Sequence, residues 1–353
     1  MDKSVLKNCK VLGEITDIVI KDGIIEKVGK TDLDGIDMAG KKVYPGLFDI
    51  HCHGLGGYDT MDGNKLIEMS KLLLKEGTTS WLPTTMTMDF ETIKKATDEI
   101  PTGDGAEIVG FHMEGPYINE KYKGAQNSIF IKNPDIEEYS HLKNIKMVTI
   151  APELSGSIDF IEKCDAVISI GHTDCTYSEA VSAMAAGAKC LTHTFNAMPP
   201  LHHREPGPIG AAIDQNAYVQ VISDGIHIHP AIIRTLYRLF GRERLVLISD
   251  CMRAGGLPDG IYEFGGMEMT VKDKIARTQS GALAGSTSTL LECVKKAIEF
   301  GIPEEDAFYM ASATPSNLMK INKGYIKEGF AADLIVLDEN LNLTNVIVGG
   351  KIK

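Results

Sequence analysis

Seven side chains capable of metal binding or proton transfer stand where short apolar runs of this sequence end. They are His51, His53, Glu114, His172, His193, His227 and Asp250. Neutral imidazoles together with a carboxylate are the ligands that zinc, iron and manganese accept in proteins. A carboxylate beside a metal-bound water can also accept its proton and pass it to a leaving group. The pattern therefore predicts a metal-assisted reaction, provided that the fold brings these positions together.

His51 and His53 lie two residues apart, and on a strand such residues face the same side. They could therefore bind one ion while Cys52 points into the packing. The spacing alone is a weak signal, because a second pair of this kind occurs at His227 and His229. The alternative interpretation is a pair of ordinary polar residues.

Glu114, His172 and His193 form a more specific set, because each ends a separate apolar run. A buried carboxylate without a partner is destabilising, and a metal ion would compensate it. The alternative is a group of hydrogen-bonded residues without a metal. Asp250 ends the last run and is the candidate proton acceptor, with a metal ligand or a helix cap as its alternative roles.

The elements that must position these residues alternate along the chain. Eight short apolar runs are separated by helical patterns, such as those within 64–77, 229–241 and 288–301. This alternation predicts an α/β fold, a (β/α)8 barrel of the TIM type. Active sites of such barrels lie at the carboxyl ends of the strands, which is where the seven side chains stand.

The two chain ends differ from the middle of the chain, because they contain strand patterns that are not separated by helical patterns. Asp22-Gly23 separates two apolar runs and is a strong hairpin signal. We therefore expect the ends to pair into one small β-sandwich domain formed by residues 1–48 and 321–353. The catalytic barrel would then span residues 49–320.

The composition limits the class of protein. With 36 basic and 48 acidic residues, the formal charge is −12, and 43% of the residues are hydrophobic. This balance excludes a disordered chain and argues against nucleic acid or an anionic membrane as a partner. The seven cysteines are scattered singly, so we expect no disulfide framework and a cytoplasmic protein. No segment has the apolar length of a membrane span.

Several longer stretches resemble one known family nearly end to end. They are PGLFDIHCHG, GFHMEGPYIN with KGA after it, GHTDCTY, LTHTFNAMPPLHHREPG, SDGIHIHP, SDCMRAGGLPDG, ALAGSTSTL and GYIKEGFAADLIVLD. They resemble the amidohydrolase superfamily and, within it, the N-acetylglucosamine-6-phosphate deacetylases of amino-sugar metabolism. The resemblance implies a barrel with a β-sandwich built from both chain ends. It also implies hydrolysis of the N-acetyl group of N-acetylglucosamine 6-phosphate, which gives glucosamine 6-phosphate and acetate.

The resemblance further implies roles for individual residues. Glu114, His172 and His193 would bind a divalent metal, zinc or iron, and His51 and His53 would add a second metal site. Asp250 would be the catalytic acid and base, and His227 would contact the sugar and its acetyl group. The remaining substrate contacts would be Asn196, Ala197 and Arg204 for the phosphate, and Ala125, Gln126, Leu283, Ala284 and Gly285 around the sugar. In the family, the arginine that corresponds to Arg204 can come from a neighbouring subunit, and the resemblance therefore implies a homodimer.

Two positions depart from the family pattern. Gln126 follows KGA where a histidine is usual, which leaves the preference between sugar epimers open, and Cys251 stands where alanine is usual. The alternatives are an N-acetylgalactosamine-6-phosphate deacetylase, a cyclic amide hydrolase and a binding protein without activity. The fourth apolar run lacks the metal-bridging lysine of some barrel hydrolases, which counts against the cyclic-amide class. The presence of Asp250 and His227 argues against a binding protein.

Overall fold

The computed structural model describes residues 3–353. The strands are β1 (Lys3–Val11), β2 (Glu14–Lys21), β3 (Ile24–Val28), β4 (Ile36–Asp37), β5 (Lys42–Pro45), β6 (Leu47–Cys52), β7 (Gly54–Leu55), β8 (Tyr58–Asp59), β9 (Thr78–Thr85), β10 (Glu107–Ile108), β11 (Phe111–Glu114), β12 (Ile145–Ile150), β13 (Val167–Ile170), β14 (Cys190–Leu191), β15 (Tyr218–Ile222), β16 (Leu245–Ile248), β17 (Gly260–Phe264), β18 (Met267–Lys272), β19 (Ile275–Thr278), β20 (Leu334–Leu337), β21 (Leu343–Val348) and β22 (Lys351–Ile352). The helices are α1 (Leu66–Lys75), α2 (Phe90–Thr97), α3 (Ile136–Tyr139), α4 (Ser157–Lys163), α5 (Tyr177–Ala186), α6 (Gly207–Asp214), α7 (Pro230–Arg244), α8 (Leu290–Glu299), α9 (Glu304–Met310) and α10 (Ala313–Met319).

The predicted barrel is confirmed, and its eight strands correspond to the eight apolar runs. They are parallel and hydrogen-bonded in the order β6, β9, β11, β12, β13, β14, β15 and β16, with the short β10 beside β9. Parallel strands covered by helices are buried on both faces, which is why these runs are apolar rather than alternating. The predicted helices are also present as α1, α7 and α8, with a break in α7 at Gly241, whose φ is +64°.

The barrel closes between its first and last strands through separate hydrogen bonds at their carboxyl ends. The main-chain N–H of Asp250 donates to the carbonyl oxygen of His51 at 2.9 Å. The buried carboxylate of Asp49 accepts from the main-chain N–H of Ser249 at 3.3 Å and from that of His51 at 3.2 Å. Burial raises the pKa of Asp49 to about 6, although these hydrogen bonds favour the charged form. This closing seam therefore lies directly beneath the predicted metal ligands.

Both chain ends pair into one β-domain, as the sequence predicts, and its strands belong to a single sheet. Its strands follow the order β22, β21, β20, β5, β1, β2 and β3, with β4 beside β1. The predicted hairpin is confirmed, because Asp22 and Gly23 link β2 to β3 with φ values of +51° and +79°. An apolar cluster that includes Leu6, Ile18 and Leu334 forms the core of this domain. The domain bounds given above stay a prediction.

A three-stranded antiparallel sheet between β16 and α8 is absent from the sequence-based prediction. It consists of β17, β18 and β19. Phe264, Met269 and Val271 of this sheet are buried against the loops at the barrel mouth, including Met86 and Ala125. The sheet therefore forms a wall at the end of the barrel where the predicted site lies. Between residues 3 and 353, no helix is long and apolar enough to cross a membrane.

Candidate active site

The five predicted metal ligands meet at the carboxyl ends of the barrel strands. His51 lies in β6, His53 directly follows it, and Glu114 is the last residue of β11. His172 and His193 follow β13 and β14 by two residues. Their φ values are +48° and +26°, and that of Asp250 is +47° after β16. Non-glycine residues rarely adopt this left-handed conformation, and its cost is typical of functional sites.

Glu114 is the centre of the cluster, and its two carboxylate oxygens have different neighbours. Oε1 lies 3.1 Å from His193 Nε2, 3.2 Å from His172 Nε2 and 3.3 Å from His51 Nε2. Oε2 lies 3.2 Å from His53 Nε2. Two groups of potential metal ligands, each with ligand atoms within 4.8 Å of one another, therefore share this carboxylate. Glu114 could bridge two ions or serve one.

The four imidazoles present the same nitrogen to the centre because their other nitrogen is engaged elsewhere. Each Nδ1 faces an oxygen acceptor, so the proton of the neutral ring lies on Nδ1 and the lone pair of Nε2 points inward. The acceptors are the carbonyl oxygens of Thr84 (3.1 Å from His53), Tyr122 (2.8 Å from His172) and Asn196 (3.2 Å from His193), and Gln220 Oε1 (3.0 Å from His51).

This orientation fits a divalent metal. The Nε2 atoms of His172 and His193 lie 3.0 Å apart, and two inward lone pairs at that distance repel unless a cation lies between them. Asp250 adds negative charge, since its Oδ1 lies 3.3 Å from Nε2 of both His51 and His53. Imidazole nitrogens with a shared carboxylate are a donor set typical of zinc and iron.

The pKa shifts show how strongly the acids and imidazoles interact. Burial lowers the pKa of His53, but Asp250 and Glu114 outweigh it and raise that pKa to about 10. Burial opposes ionisation of Asp250, yet His51 and His53 hold its pKa at about 2. The pKa of Glu114 is likewise held well below its ordinary value by the imidazoles, against the effect of burial. A metal ion bound among these groups would replace the Nε2 protons of the imidazoles as the positive charge that keeps Glu114 and Asp250 ionised, and the rings would then be neutral.

The cluster faces a cavity of about 520 Å³ at the barrel mouth. The expected substrate residues that line this cavity are Ala125, Gln126, Asn196, Ala197, His227, Leu283 and Gly285. Ala284 is completely buried between the last two of these. His53, Glu114, His172, His193 and Asp250 form the floor, and His51 lies behind them. One chain thus brings together all but one of the predicted site residues.

Arg204 is the exception. Its side chain is exposed, its Nη1 contacts His203 Nε2 at 2.9 Å, and it is outside the lining of the cavity. Cys251, the other departure from the family pattern, is buried, and burial raises the pKa of its thiol. A buried thiol of raised pKa packs like a small apolar residue and is a poor nucleophile.

Three features of the site escaped the sequence analysis. Asp224 Oδ2 lies 2.7 Å from His227 Nδ1 and fixes that ring, although its place three residues earlier in SDGIH was a usable signal. Phe264, from the unpredicted sheet, packs its ring edge-on against His53 with centroids 5.2 Å apart. Phe195 also lines the cavity. Aromatic residues at such positions have no spacing that distinguishes them from the core.

Comparison with known proteins identifies the family of the chain. Residues 43–353 match the sequence model of the Amidohydrolase family. The chain belongs to this family. The family resemblance inferred from the sequence motifs is thereby confirmed.

Individual relatives are similar over nearly the whole chain. The N-acetylglucosamine-6-phosphate deacetylase of Lysinibacillus sphaericus is 34% identical, over 96% of this chain and 94% of the relative. The N-acetylgalactosamine-6-phosphate deacetylase of Escherichia coli O157:H7 is 33% identical, over 94% of this chain and 93% of the relative. A mutant N-acetyl-D-glucosamine-6-phosphate deacetylase of Mycobacterium smegmatis, solved in complex with N-acetyl-D-glucosamine-6-phosphate, has a TM-score of 0.93 at 29% identity and covers 100% of this chain and 99% of its own.

Proposed function

We propose that this amidohydrolase removes the acetyl group of N-acetylglucosamine 6-phosphate, giving glucosamine 6-phosphate and acetate. The observation that carries the proposal is the Glu114-centred cluster, which faces a sugar-sized cavity together with Asp250 and His227. The similarity to deacetylases over nearly the full chain supports the same reaction. The cavity volume of about 520 Å³ lies within the range usual for small-molecule sites.

The cofactor that we propose is a divalent metal, zinc or iron, with one or two ions per subunit. Glu114, His172 and His193 would hold the first, and His51 and His53 with Glu114 would hold a second. When bound, such an ion lowers the pKa of a water molecule and polarises a carbonyl group. Because the ligand rings are fixed through Nδ1, little reorganisation is needed to bind it.

Asp250 and His227 would carry out the proton transfers and charge stabilisation. Asp250 accepts the proton of the attacking water and then gives it to the amine, which leaves poorly unless it is protonated. The imidazoles around Asp250 lower its pKa and so favour the ionised form, which is the form that can accept a proton. His227 donates from Nε2 to the acetyl oxygen as negative charge develops there. Asp224 holds the other nitrogen of that ring.

The phosphate must be bound locally, because a chain of charge −12 repels it overall. Asn196 and Ala197 line the cavity and would offer amide groups. Arg204 would supply the charge, since a guanidinium donates two hydrogen bonds to a phosphate. Because Arg204 lies away from the cavity of its own chain, we propose that a second copy contributes it and that the enzyme is a homodimer. The seven free cysteines fit a cytoplasmic location.

The decisive experiment is an acetate-release assay on the 6-phosphates of N-acetylglucosamine and N-acetylgalactosamine and on both unphosphorylated sugars. We expect the highest kcat/KM with N-acetylglucosamine 6-phosphate and a large loss without the phosphate. The galacto epimer is the second candidate, because a relative named N-acetylgalactosamine-6-phosphate deacetylase is 33% identical, against 34% for one named N-acetylglucosamine-6-phosphate deacetylase. Absence of acetate from all four compounds would reject the proposed function.

A further inference from the structure

Gln126, which stands where the family usually has histidine, is tied at both ends of its amide group. Its side chain is buried, and Oε1 accepts a hydrogen bond from the main-chain N–H of Thr87 at 2.8 Å. Its Nε2 donates to Glu114 Oε2 at 2.7 Å. A main-chain N–H can only donate, so the amide cannot be turned round without losing the contact to Thr87. The orientation of the amide is therefore fixed by its surroundings.

The contact matters once a metal is bound, because the other neighbours of the Glu114 carboxylate would then be neutral imidazoles whose Nε2 atoms carry lone pairs. His51, His53, His172 and His193 each have their Nδ1 against an oxygen acceptor, so in the neutral form their rings direct Nε2 lone pairs toward the centre of the cluster and donate no hydrogen bond to the carboxylate. The Gln126 amide then supplies an N–H donor to this carboxylate that those neutral rings do not. The amide, which Thr87 holds in place, therefore fixes Oε2 by a hydrogen bond that no imidazole can supply while its Nε2 lone pair binds a metal.

The location of the two partners strengthens this point. Thr87 lies just beyond β9, and Gln126 lies in the loop after β11, the strand that ends at Glu114. Thr87 Oγ1 also donates to the carbonyl oxygen of Glu114 at 3.4 Å. Thr87 is thus hydrogen-bonded to the main chain of Glu114 directly and to its side chain through Gln126. Gln126 is the link that reaches the carboxylate itself.

We propose that Gln126 is a positioning residue of the metal centre, which holds Glu114 so that Oε1 faces His172 and His193 while Oε2 faces His53. This inference rests on the metal centre of the proposed function and adds to it a role for a residue that the resemblance places at the sugar. It also explains how glutamine can replace histidine here. Like a neutral imidazole, the amide combines one acceptor and one donor, and unlike an imidazole it keeps both at every pH.

The test is the metal affinity of Gln126→Met, whose side chain has similar length but no N–H donor and only a weakly accepting sulfur. The matched control is Gln215→Met, at an exposed glutamine at the end of α6. Zinc affinity is measured by competition with a chromophoric chelator, without any sugar. Hydrogen-bond partners of metal ligands typically contribute about 10- to 100-fold in affinity, so we expect a loss of that size in the Gln126 variant only.

A purely structural role is separated by melting the metal-free and zinc-loaded proteins. Loss of the Thr87 contact lowers Tm of both forms alike, whereas weaker zinc binding reduces the increase in Tm that zinc produces. A zinc affinity within two-fold of wild type, or an unchanged zinc-dependent increase in Tm, would overturn the inference. If Gln126→Met does not fold, Gln126→Asn, too short to reach both partners, gives the same comparison. Because no substrate is used, the zinc-binding result does not depend on whether the protein proves to be a deacetylase.

Discussion

Replacement of Asp250 by asparagine is the most direct test of the proposed proton transfers. The backbone of Asp250 has φ +47°, and its N–H bonds to the carbonyl oxygen of His51 at 2.9 Å. Asparagine tolerates the left-handed conformation and keeps that N–H, whereas alanine there would add a strain of about 1–2 kcal/mol. The nearest imidazole nitrogens are 3.3 Å from Oδ1. We therefore expect Asp250→Asn to fold and close the barrel normally.

Catalysis should respond very differently, because an amide at this position cannot accept the proton of water. General acid–base catalysis contributes about 10²- to 10⁴-fold to turnover, or about 3–5 kcal/mol in the activation barrier. We expect kcat of Asp250→Asn to fall by that factor in the acetate-release assay, with KM within a few-fold of wild type. Asp34→Asn, at an exposed aspartate outside the cavity lining, is the matched control and should leave kcat unchanged.

The refuting result is equally specific. If Asp250→Asn binds zinc like wild type and keeps kcat within ten-fold, another group must accept the proton. If zinc affinity and kcat fall together, Asp250 acts as a metal ligand, the alternative that the sequence also allows. Metal content after dialysis, measured by elemental analysis, distinguishes these two results.

Four further outcomes are expected. Chelation and dialysis should abolish acetate release, and zinc or iron should restore it; full activity of protein shown to be metal-free would contradict the metal centre. Arg204→Ala should raise KM for the phosphorylated sugar about 10- to 100-fold, the equivalent of 1.5–3 kcal/mol for a charged hydrogen bond; mixing it with Asp250→Asn should restore activity only if the arginine acts across subunits. Asp224→Asn keeps an oxygen that can accept from the loop N–H groups, but it loses the carboxylate oxygen that accepts from His227 Nδ1. We therefore expect kcat to fall more than KM rises and the ¹⁵N resonances of the His227 ring to shift. Unchanged resonances would refute the role of Asp224 in orienting His227. Burial opposes ionisation of Asp17, yet the N–H groups of Asn8 and Thr31 and the Lys7 side chain lower its pKa to about 2. Ionised Asp17 therefore stabilises the fold above about pH 4, and this contribution is lost as the pH falls toward 2. Urea unfolding at a series of pH values should show that acid lowers the free energy of unfolding less in Asp17→Asn than in the wild type.

The sequence predicts the barrel and the ligand cluster well because both depend on local signals. Each strand is a short apolar run, and each ligand stands at its end, so parallel alignment alone brings Glu114, His172 and His193 together. The left-handed conformations at His172, His193 and Asp250 are not encoded locally, since histidine does not require them.

Other parts of the site depend on contacts that one sequence does not contain. The sheet β17–β19 carries alternating polar and apolar residues and Gly265-Gly266 at a turn, so its hairpins could have been recognised. Its position over the barrel mouth could not, because that follows from packing against Met86 and Ala125. Gln126 was associated with the sugar through its motif, while its partners Thr87 and Glu114 lie in other segments. Arg204 poses the same difficulty between chains.

The closing seam of the barrel has a consequence for how the chain folds during synthesis. Asp49 of β6 meets Ser249 at the end of β16 only after 200 further residues have been made. Until then β6 has β9 on one side and an open edge on the other, and open edges pair readily with other chains. The site cannot be complete before this last docking step, so early folding intermediates expose the edge and lack the full set of ligands. Ribosome-bound chains that end before β16 should therefore be the forms most in need of chaperones.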